Sequence, residues 1–461
     1  MSMLSRRELI RRLVAGAALG IGGGWTALAE AAPRRLIPWH NWSGAQACIP
    51  FARLAPKSED ELAEAVRNAV GTIRPVGASH SFSALVPTDG TLISMPYFTG
   101  LLAHDTGKMQ SEFGGGTPMS TMGEALKAVG LALPNMSDID YQTLGGAIST
   151  STHGTGVTFG SYSTQVIGLR LVTARGEIVD CDAEHHPEIF RAARVGLGAL
   201  GLITRVRLQN RKAFRLREKM WVAKTDDLLD DVATLTRENQ HWEMQIITNS
   251  DYAAAVALNE TEDPPTPPID PAEEGGNDYV TAIQKLDQYG RDWPAARTAI
   301  LNLVARTASF DERVGDSFDI FANVRNVRFN EMEYSVPAEN GPACVREILR
   351  KIRDKRLPTW FPIEYRYVHA DDIPLSMFEG GPRCSISVHQ HYTMDYHNYF
   401  AAVEPIFWKY GGRPHWGKLH TLGARQLEPL YPRWKEFADV RAELDPQGKF
   451  LNGHLRTVFG A

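Results

Sequence analysis

Cysteine is scarce. Four occur in 461 residues, at Cys48, Cys181, Cys344 and Cys384, and no two stand at CxxC spacing. That excludes a cysteine metal cage and a dense disulfide framework, leaving open a single bridge in an oxidising compartment. Strong charge of one sign is also missing. The formal net charge is −5, with no dense basic run beyond the N-terminus, so nucleic acid is not an expected partner; phosphate recognition needs clustered Lys and Arg. No apolar run reaches the roughly 20 residues of a membrane-spanning helix, and no internal repeat has a fixed period. What is present is an ordinary globular mixture, 43% hydrophobic and 22% charged, in a chain long enough for two domains that each bury a core.

The N-terminus reads as an address. Ser5-Arg6-Arg7-Glu8-Leu9-Ile10 is a twin-arginine pattern, Leu13 to Leu28 is weakly apolar and rich in Ala and Gly, and Ala27-x-Ala29 and Ala29-x-Ala31 offer cleavage frames. Residues 1–31 are expected to be a Tat signal peptide. A membrane anchor fits less well, because Gly16, Gly20, Gly22, Gly23 and Gly24 interrupt a short stretch. The expectation is a periplasmic or secreted protein that engages the Tat export machinery already folded, a route suited to an enzyme that takes up its cofactor before export.

The remainder reads as two α+β regions. Over residues 40–210, Ser58 is placed to cap a helix from Leu62 to Val70 behind Glu59, Asp60 and Glu61. Strands are expected at Thr72–Gly77, Thr91–Met95, Val166–Thr173 and Leu202–Leu208, and helices at Glu124–Val129 and Pro187–Val195. Over residues 211–418 the pattern runs strand (Phe329–Val336), helix (Gly341–Lys355) and strands (Pro362–His369, Arg383–Tyr392). An acidic, proline-rich insertion over 259–276 precedes helical stretches at Tyr279–Tyr289 and Pro294–Ala308. Residues 419–461 read as helical and then irregular.

Gly196-Leu197-Gly198-Ala199-Leu200-Gly201 fits GxGxxG, but the order is reversed from the dinucleotide fingerprint: a helix precedes it and a strand follows. It reads as a tight turn. Two other segments are more telling together. In Arg74-Pro75-Val76-Gly77-Ala78-Ser79-His80-Ser81-Phe82 a strand runs into small residues whose N–H groups can form an anion-binding nest, and a histidine follows. About seventy residues on, Leu133-Pro134-Asn135-Met136-Ser137-Asp138, Thr143-Leu144-Gly145-Gly146-Ala147 and Ser149-Thr150-Ser151-Thr152-His153-Gly154-Thr155-Gly156 supply glycines and small hydroxyls that let a backbone press against a bulky cofactor.

In these segments the chain resembles the vanillyl-alcohol-oxidase-type (PCMH-type) flavoproteins, in the aldonolactone and alditol oxidase branch. Val76 to Ser81 matches the family loop whose histidine bonds to the flavin, and Thr150 to Gly156 matches its TxTHGTG-like loop. The resemblance implies a two-part FAD-binding domain, an α+β substrate (cap) domain, a chain end returning to the first domain, and FAD joined covalently through His80. It implies cofactor contacts at Pro75, Val76, Gly77, Ala78, Ser79, His80, Ser81, Ser137, Thr143, Gly146, Ser149, Thr150, His153, Gly154 and Ile203.

The second region carries candidate chemistry. Glu364 and Arg366 project from one face of a predicted strand, His389-Gln390-His391 alternates on another, and His415-Trp416-Gly417-Lys418 resembles the family's HW-small-K motif. The resemblance places Glu364, Arg366 and Lys418 on the substrate side, with His391, Ser137 and Asp138 as further substrate contacts. Oxidation of a hydroxyl group sends a hydride to flavin N5. Arg366 and Lys418 are suited to stabilise the charge that develops there, and His389 or Glu364 to take the proton. No metal is expected, although His389 and His391 could serve as ligands. The expected substrate is a sugar lactone or small polyol, with O2 as acceptor. Ser137 stands where related oxidases commonly carry Gly or Ala, which keeps open a dehydrogenase passing electrons to a quinone or cytochrome, and Asp138 stands where several members have serine, which bears on substrate choice. A non-catalytic exported flavin- or carbohydrate-binding protein would have no use for Glu364, Arg366 and Lys418.

Overall fold

A computed structural model describes residues 36–267, 285, 292–323 and 327–461. The expected leader and almost all of the expected helix at Tyr279–Tyr289 lie outside the described residues. Among the described residues, no helix is long and apolar enough to cross a membrane.

The architecture is α+β, built on three main sheets. The smallest is parallel, with Thr91–Ser94 between Ala52–Leu54 and Ile73–Val76. Parallel strands need cover on both faces, and Ile73, Leu92 and Ile93 are accordingly fully buried. The helix Glu59–Asn68 supplies one cover. Ser58 accepts a hydrogen bond from Glu61 N at its start, which satisfies an otherwise orphaned donor, and its buried stripe of Leu62, Ala63 and Val66 packs with Ile73, Ile93, Val172, Leu202 and Phe450.

The second sheet is antiparallel, in the order Ile178–Asp182, Val166–Val172, Leu202–Gln209, Gln110–Gly114, Leu101–Asp105. Its central strand buries Leu202, Thr204, Val206 and Leu208 and turns Arg207 and Gln209 to solvent, the alternation of a sheet with one wet face. The outer strands escape sequence reading because Leu101–Asp105 is exposed over most of its length and carries no apolar period.

The third sheet has eight strands, in the order Arg313–Asp316, Arg215–Lys224, Tyr252–Thr261, His241–Ile246, Ile363–Val368, Arg383–His391, Phe329–Pro337, Arg413–Pro414. The insertion expected from residue 259 begins later, since Asn259, Glu260 and Thr261 pair with Arg217, Leu216 and Arg215. Glu260 also takes a bidentate bond from Arg211 at 2.7 and 2.8 Å, so its charge belongs to a strand. Tyr252–Thr261 goes unrecognised because Ala253, Ala255 and Ala257 fill its core face, and alanine has little β preference.

The end of the chain packs back on the first sheet. Ile73 N donates to Lys449 O at 2.9 Å, and Asn452 Nδ2 donates to Ala84 O and Pro87 O. The tail finishes in the helix Gly453–Phe459, not in irregular chain. Asn452 caps its start by accepting from Leu455 N, and Gly460 ends it at φ 68°, a conformation glycine adopts without penalty.

Candidate active site

Where the strand Ile73–Val76 ends, the chain borders a cavity of about 720 Å³, within the range of ligand pockets. Three stretches meet there: residues 74–81, the glycine-rich chain at 115–150, and the turn 197–203. Their closeness depends on missing side chains. A Cβ on Gly77 would collide with Thr143 Oγ1, and one on Gly198, at φ +62°, would meet Pro75. The GxGxxG segment is therefore a turn, as its order implies, but a turn that walls this cavity. Arg74, fully buried, ties the stretches together by donating to Leu85 O, Leu197 O, Gly198 O and Phe450 O at 2.6–2.9 Å.

His80 stands at the cavity wall. Ser79, just before it, adopts φ 62° and is held by Trp39 Nε1 on its hydroxyl and Trp42 N on its carbonyl. The Trp42 ring lies 4.8 Å from the imidazole, centroid to centroid. Burial, then the Lys418 cation, push the His80 pKa down to about 4, so the ring is neutral and nucleophilic at neutral pH. Its Nε2 is buried without a hydrogen-bond partner. A buried orphan is rare, and a neutral ring nitrogen facing a cavity fits attachment to a large cofactor.

Beyond His80 lies a cluster of buried charges. Phe82 N donates to Gly417 O at 2.7 Å and Ser83 Oγ to Trp416 O at 2.6 Å, which docks the His415–Lys418 segment on the His80 loop and sets Lys418 Nζ 5.0 Å from the Phe82 ring centroid. Sheet register assembles the rest. Glu331 pairs with His389; Glu364, Ser387 and Glu333 form a row across three strands; Arg366, Ser385 and Ser335 form the next. Paired residues share a face, and the small serines leave room for longer side chains to meet. Arg366 contacts Glu364 at 2.7 Å and Glu333 at 3.7 Å, Glu331 bonds Lys418 and lies 3.5 Å from His389 Nε2, and His153 Nε2 is 2.6 Å from Glu333 Oε1.

Burial opposes every one of these charges, and their mutual pairing prevails. It works to raise the pKa of Glu331, but Lys418 and His389 hold that carboxyl well below its ordinary range. His153 does the same for Glu333, and Glu364 with Glu333 keeps Arg366 charged. His415 differs. Burial lowers it to about 3, and its Nδ1 accepts from Gly417 N, so it is a neutral ring. Two groups, His153 with Glu333 and His415, and Glu331 with Glu364 and His389, gather ligand-type atoms within 4.8 Å of one another. Lys418, Arg366 and His389 already compensate these carboxylates, so neither group is read as a metal site. Arg366 Nε and Ser387 Oγ are buried without partners, polar groups that a hydroxylated ligand would satisfy.

Pro75 to Ser81, Thr143, Gly146, Ser149, Thr150 and Ile203 all line the cavity. Ser137, His153 and Gly154 do not. Ser137 bonds Ile139 O and Tyr162, His153 joins the charge cluster, and Gly154 packs against the Met136 carbonyl. Glu364, Arg366, His389 and Lys418 come together in the cluster. His391 bonds Thr393 and packs on Trp360, while Asp138 accepts from Asn323 at 2.7 Å. Sequence reading missed Glu331, Glu333 and Arg74. The acids alternate with Met332, Tyr334 and Val336, which is how the wet face of a half-buried strand reads.

A cavity walled by glycine backbone with a neutral histidine at its edge, next to buried cations, defines a FAD-dependent oxidoreductase. The family pattern described as "D-arabinono-1,4-lactone oxidase" matches residues 206–458 and that described as "FAD binding domain" matches residues 50–182; the chain belongs to the D-arabinono-1,4-lactone oxidase family. It is 37% identical to the L-gulono-1,4-lactone dehydrogenase of Mycobacterium tuberculosis, over 92% of this chain and 99% of that one. It is 29% identical to the L-gulonolactone oxidase of Bos taurus (92% and 98%) and 26% to an alditol oxidase of Streptomyces (91% and 98%). In fold it is similar to a solvent-stable cholesterol oxidase, with TM-score 0.77 at 18% identity over 92% of this chain and 97% of that one.

Proposed function

We propose that this protein oxidises a hydroxyl group of a sugar-derived lactone or an alditol, with FAD bound covalently through His80 and O2 as the acceptor that yields H2O2. The observation that carries this reading is buried Arg366 with half-buried Glu364, and half-buried Lys418 in the segment docked on the His80 loop, with Arg366 Nε and Ser387 Oγ lacking hydrogen-bond partners. FAD, when bound, supplies the hydride acceptor. The protein's part is to bind and orient the hydroxylated substrate, exclude water, and hold Arg366 and Lys418 where negative charge develops. Fixed cations in a dry site act strongly because they need no reorganisation as the reaction proceeds. The names of the relatives, lactone and alditol oxidases and a dehydrogenase, support the substrate class.

The dehydrogenase name of the Mycobacterium relative favours a second reading in which the same site passes electrons to a quinone or cytochrome. The N-terminal twin-arginine pattern supports Tat export to the periplasm. The test is anaerobic mixing of purified enzyme with aldonolactones and alditols, following flavin absorbance, then readmission of oxygen with peroxide detection. Bleaching followed by peroxide supports an oxidase. Bleaching that persists under oxygen and is relieved by a quinone or cytochrome supports the second reading. Flavin that no lactone or alditol bleaches sinks both.

A further inference from the structure

Hydrogen-bond direction around His389 bears on how the cluster divides its work. Nδ1 lies 3.0 Å from the carbonyl oxygen of Pro362. A carbonyl only accepts, so Nδ1 carries a proton. Nε2 faces Glu331 Oε1 at 3.5 Å, and Glu331 is an ionised acceptor because its other oxygen bonds the Lys418 ammonium. One ring nitrogen therefore donates to a carbonyl and the other lies at ion-pair distance from an ionised carboxylate, an arrangement that favours the imidazolium. Glu331 is 2% exposed, and its place opposite His389 is set by the register of Phe329–Pro337 on Arg383–His391.

The groups that act on His389 come from three sides. Glu331 faces it from Phe329–Pro337, Glu364 from Ile363–Val368, and Lys418 from the segment after Arg413–Pro414. The rings of Phe329 and Phe361 close the remainder at 4.9 and 5.5 Å. Burial and Lys418 disfavour charge on the ring, and the two carboxylates favour it, Glu331 first. Removing the Glu331 charge leaves a buried ring beside an ammonium, opposed by Glu364 alone.

We propose that Glu331 is a positioning residue for the oxidation, holding Lys418 with one oxygen and keeping His389 a doubly donating cation with the other. His389 then donates a hydrogen bond and stabilises charge; it does not accept the hydroxyl proton. Of the two candidate bases, Glu364 is left: its carboxylate takes the hydroxyl proton as the C–H bond breaks, the hydride passes to bound FAD, and the alcohol carbon becomes a carbonyl. This inference rests on the proposed oxidation for its kinetic part only, since the protonation of His389 is observable without substrate.

The test is ¹⁵N NMR of histidine-labelled, FAD-loaded enzyme, with the His389 ring signals assigned through His389→Gln. Expected is a doubly protonated ring in wild type at neutral pH, and in Glu331→Gln a ring that gives up one proton at lower pH than in wild type. Flavin reduction in Glu331→Gln is expected to be about 10–100-fold slower near pH 8, the loss of one charge-assisted contact. The deficit should shrink toward pH 6, and Glu331→Asp should recover most of the rate. A neutral His389 ring in wild type near pH 7 overturns the proposal, as does a Glu331→Gln enzyme with an unchanged pH profile. If Glu331→Gln does not fold, the wild-type spectrum decides alone. A protonated ring in an enzyme that no sugar derivative reduces supports the Glu331 assignment while retiring the substrate class.

Discussion

The two halves of the site are built by opposite means. The cavity beside His80 is made of backbone. Its walls are glycines and small hydroxyl residues, and what matters is the absence of atoms, as at Gly77, where a Cβ would strike Thr143. The charge cluster is made of long side chains from separate segments: Glu331 pairs with Lys418 and His389, and Arg366 pairs with Glu364 and Glu333, which also holds His153. The first is a shape the chain makes locally; the second is a balance that exists only when the third sheet and its neighbours are assembled. A backbone cradle should therefore fail by losing its cofactor, and a balanced cluster by leaving a buried charge alone.

The sharpest test of that contrast is His80→Ala. Acid-precipitated wild type should keep its flavin in the pellet and the variant should release all of it, with the fold retained in circular dichroism. Next comes Arg366→Met. It should slow flavin reduction by about 10²–10³-fold through loss of a fixed cation and lower stability by about 3–5 kcal/mol in denaturant melts, because Glu364 loses the cation paired with it at 2.7 Å and buried Glu333 is left with His153. Gly77→Ala should act on the other half. Overpacking against Thr143 costs about 1–3 kcal/mol, and the flavin content of purified protein should fall while the Glu364–Arg366 cluster is untouched.

Acid should strain the whole molecule. Burial holds His415, His420 and His454 at about 3, 3 and 4, below the unfolded value near 6.5. These rings take up protons on unfolding as soon as pH falls below that value. Stability is then full above about pH 6.5 and declines by about 1.4 kcal/mol per pH unit for each ring down to its folded pKa. Urea midpoints measured between pH 7 and pH 5 that stay level would contradict this. The smallest effect belongs to an ion pair outside both halves. Lys435 and Asp439 are 85% and 64% exposed, and Lys435→Ala should shift stability by less than about 0.5 kcal/mol. Glu364 and Arg366, at 13% and 8%, are likewise a carboxylate and a cation, and their burial is what raises the cost of breaking the pair.

Legibility followed the same division. The run Pro75–Ser81 and the residues Thr143, Gly146, Ser149 and Thr150 were readable because a glycine-rich loop does its work within a few consecutive positions. Ile203 could be placed through its resemblance motif. Ser137, His153 and Gly154 sit in the same kind of sequence but behind the cavity wall, and only packing separates them from it. Glu331 and Glu333 were invisible for a geometric reason. Their alternation with Met332, Tyr334 and Val336 is what a strand with one wet face produces, and nothing along the chain says that the wet face meets Arg366 and Lys418 instead of water. The strand Tyr252–Thr261 hid behind its alanines, and the start of the acidic insertion could not be told from a strand without its partner Arg215–Lys224.

By itself the sequence determined the α+β class, the glycine-rich loops with His80 among them that line the cavity, and the residue types available at Glu364, Arg366, His389 and Lys418. These are set by period, by chain flexibility and by what a side chain can donate or accept, all properties of short stretches. Only the tertiary structure decided which acids neutralise which cations, and that Arg74 ties the chain end to the cavity. It also decided that both nitrogens of His389 face acceptors. Register across strands distant in sequence brings those groups together, and at a buried site the charge of each group depends on its neighbours.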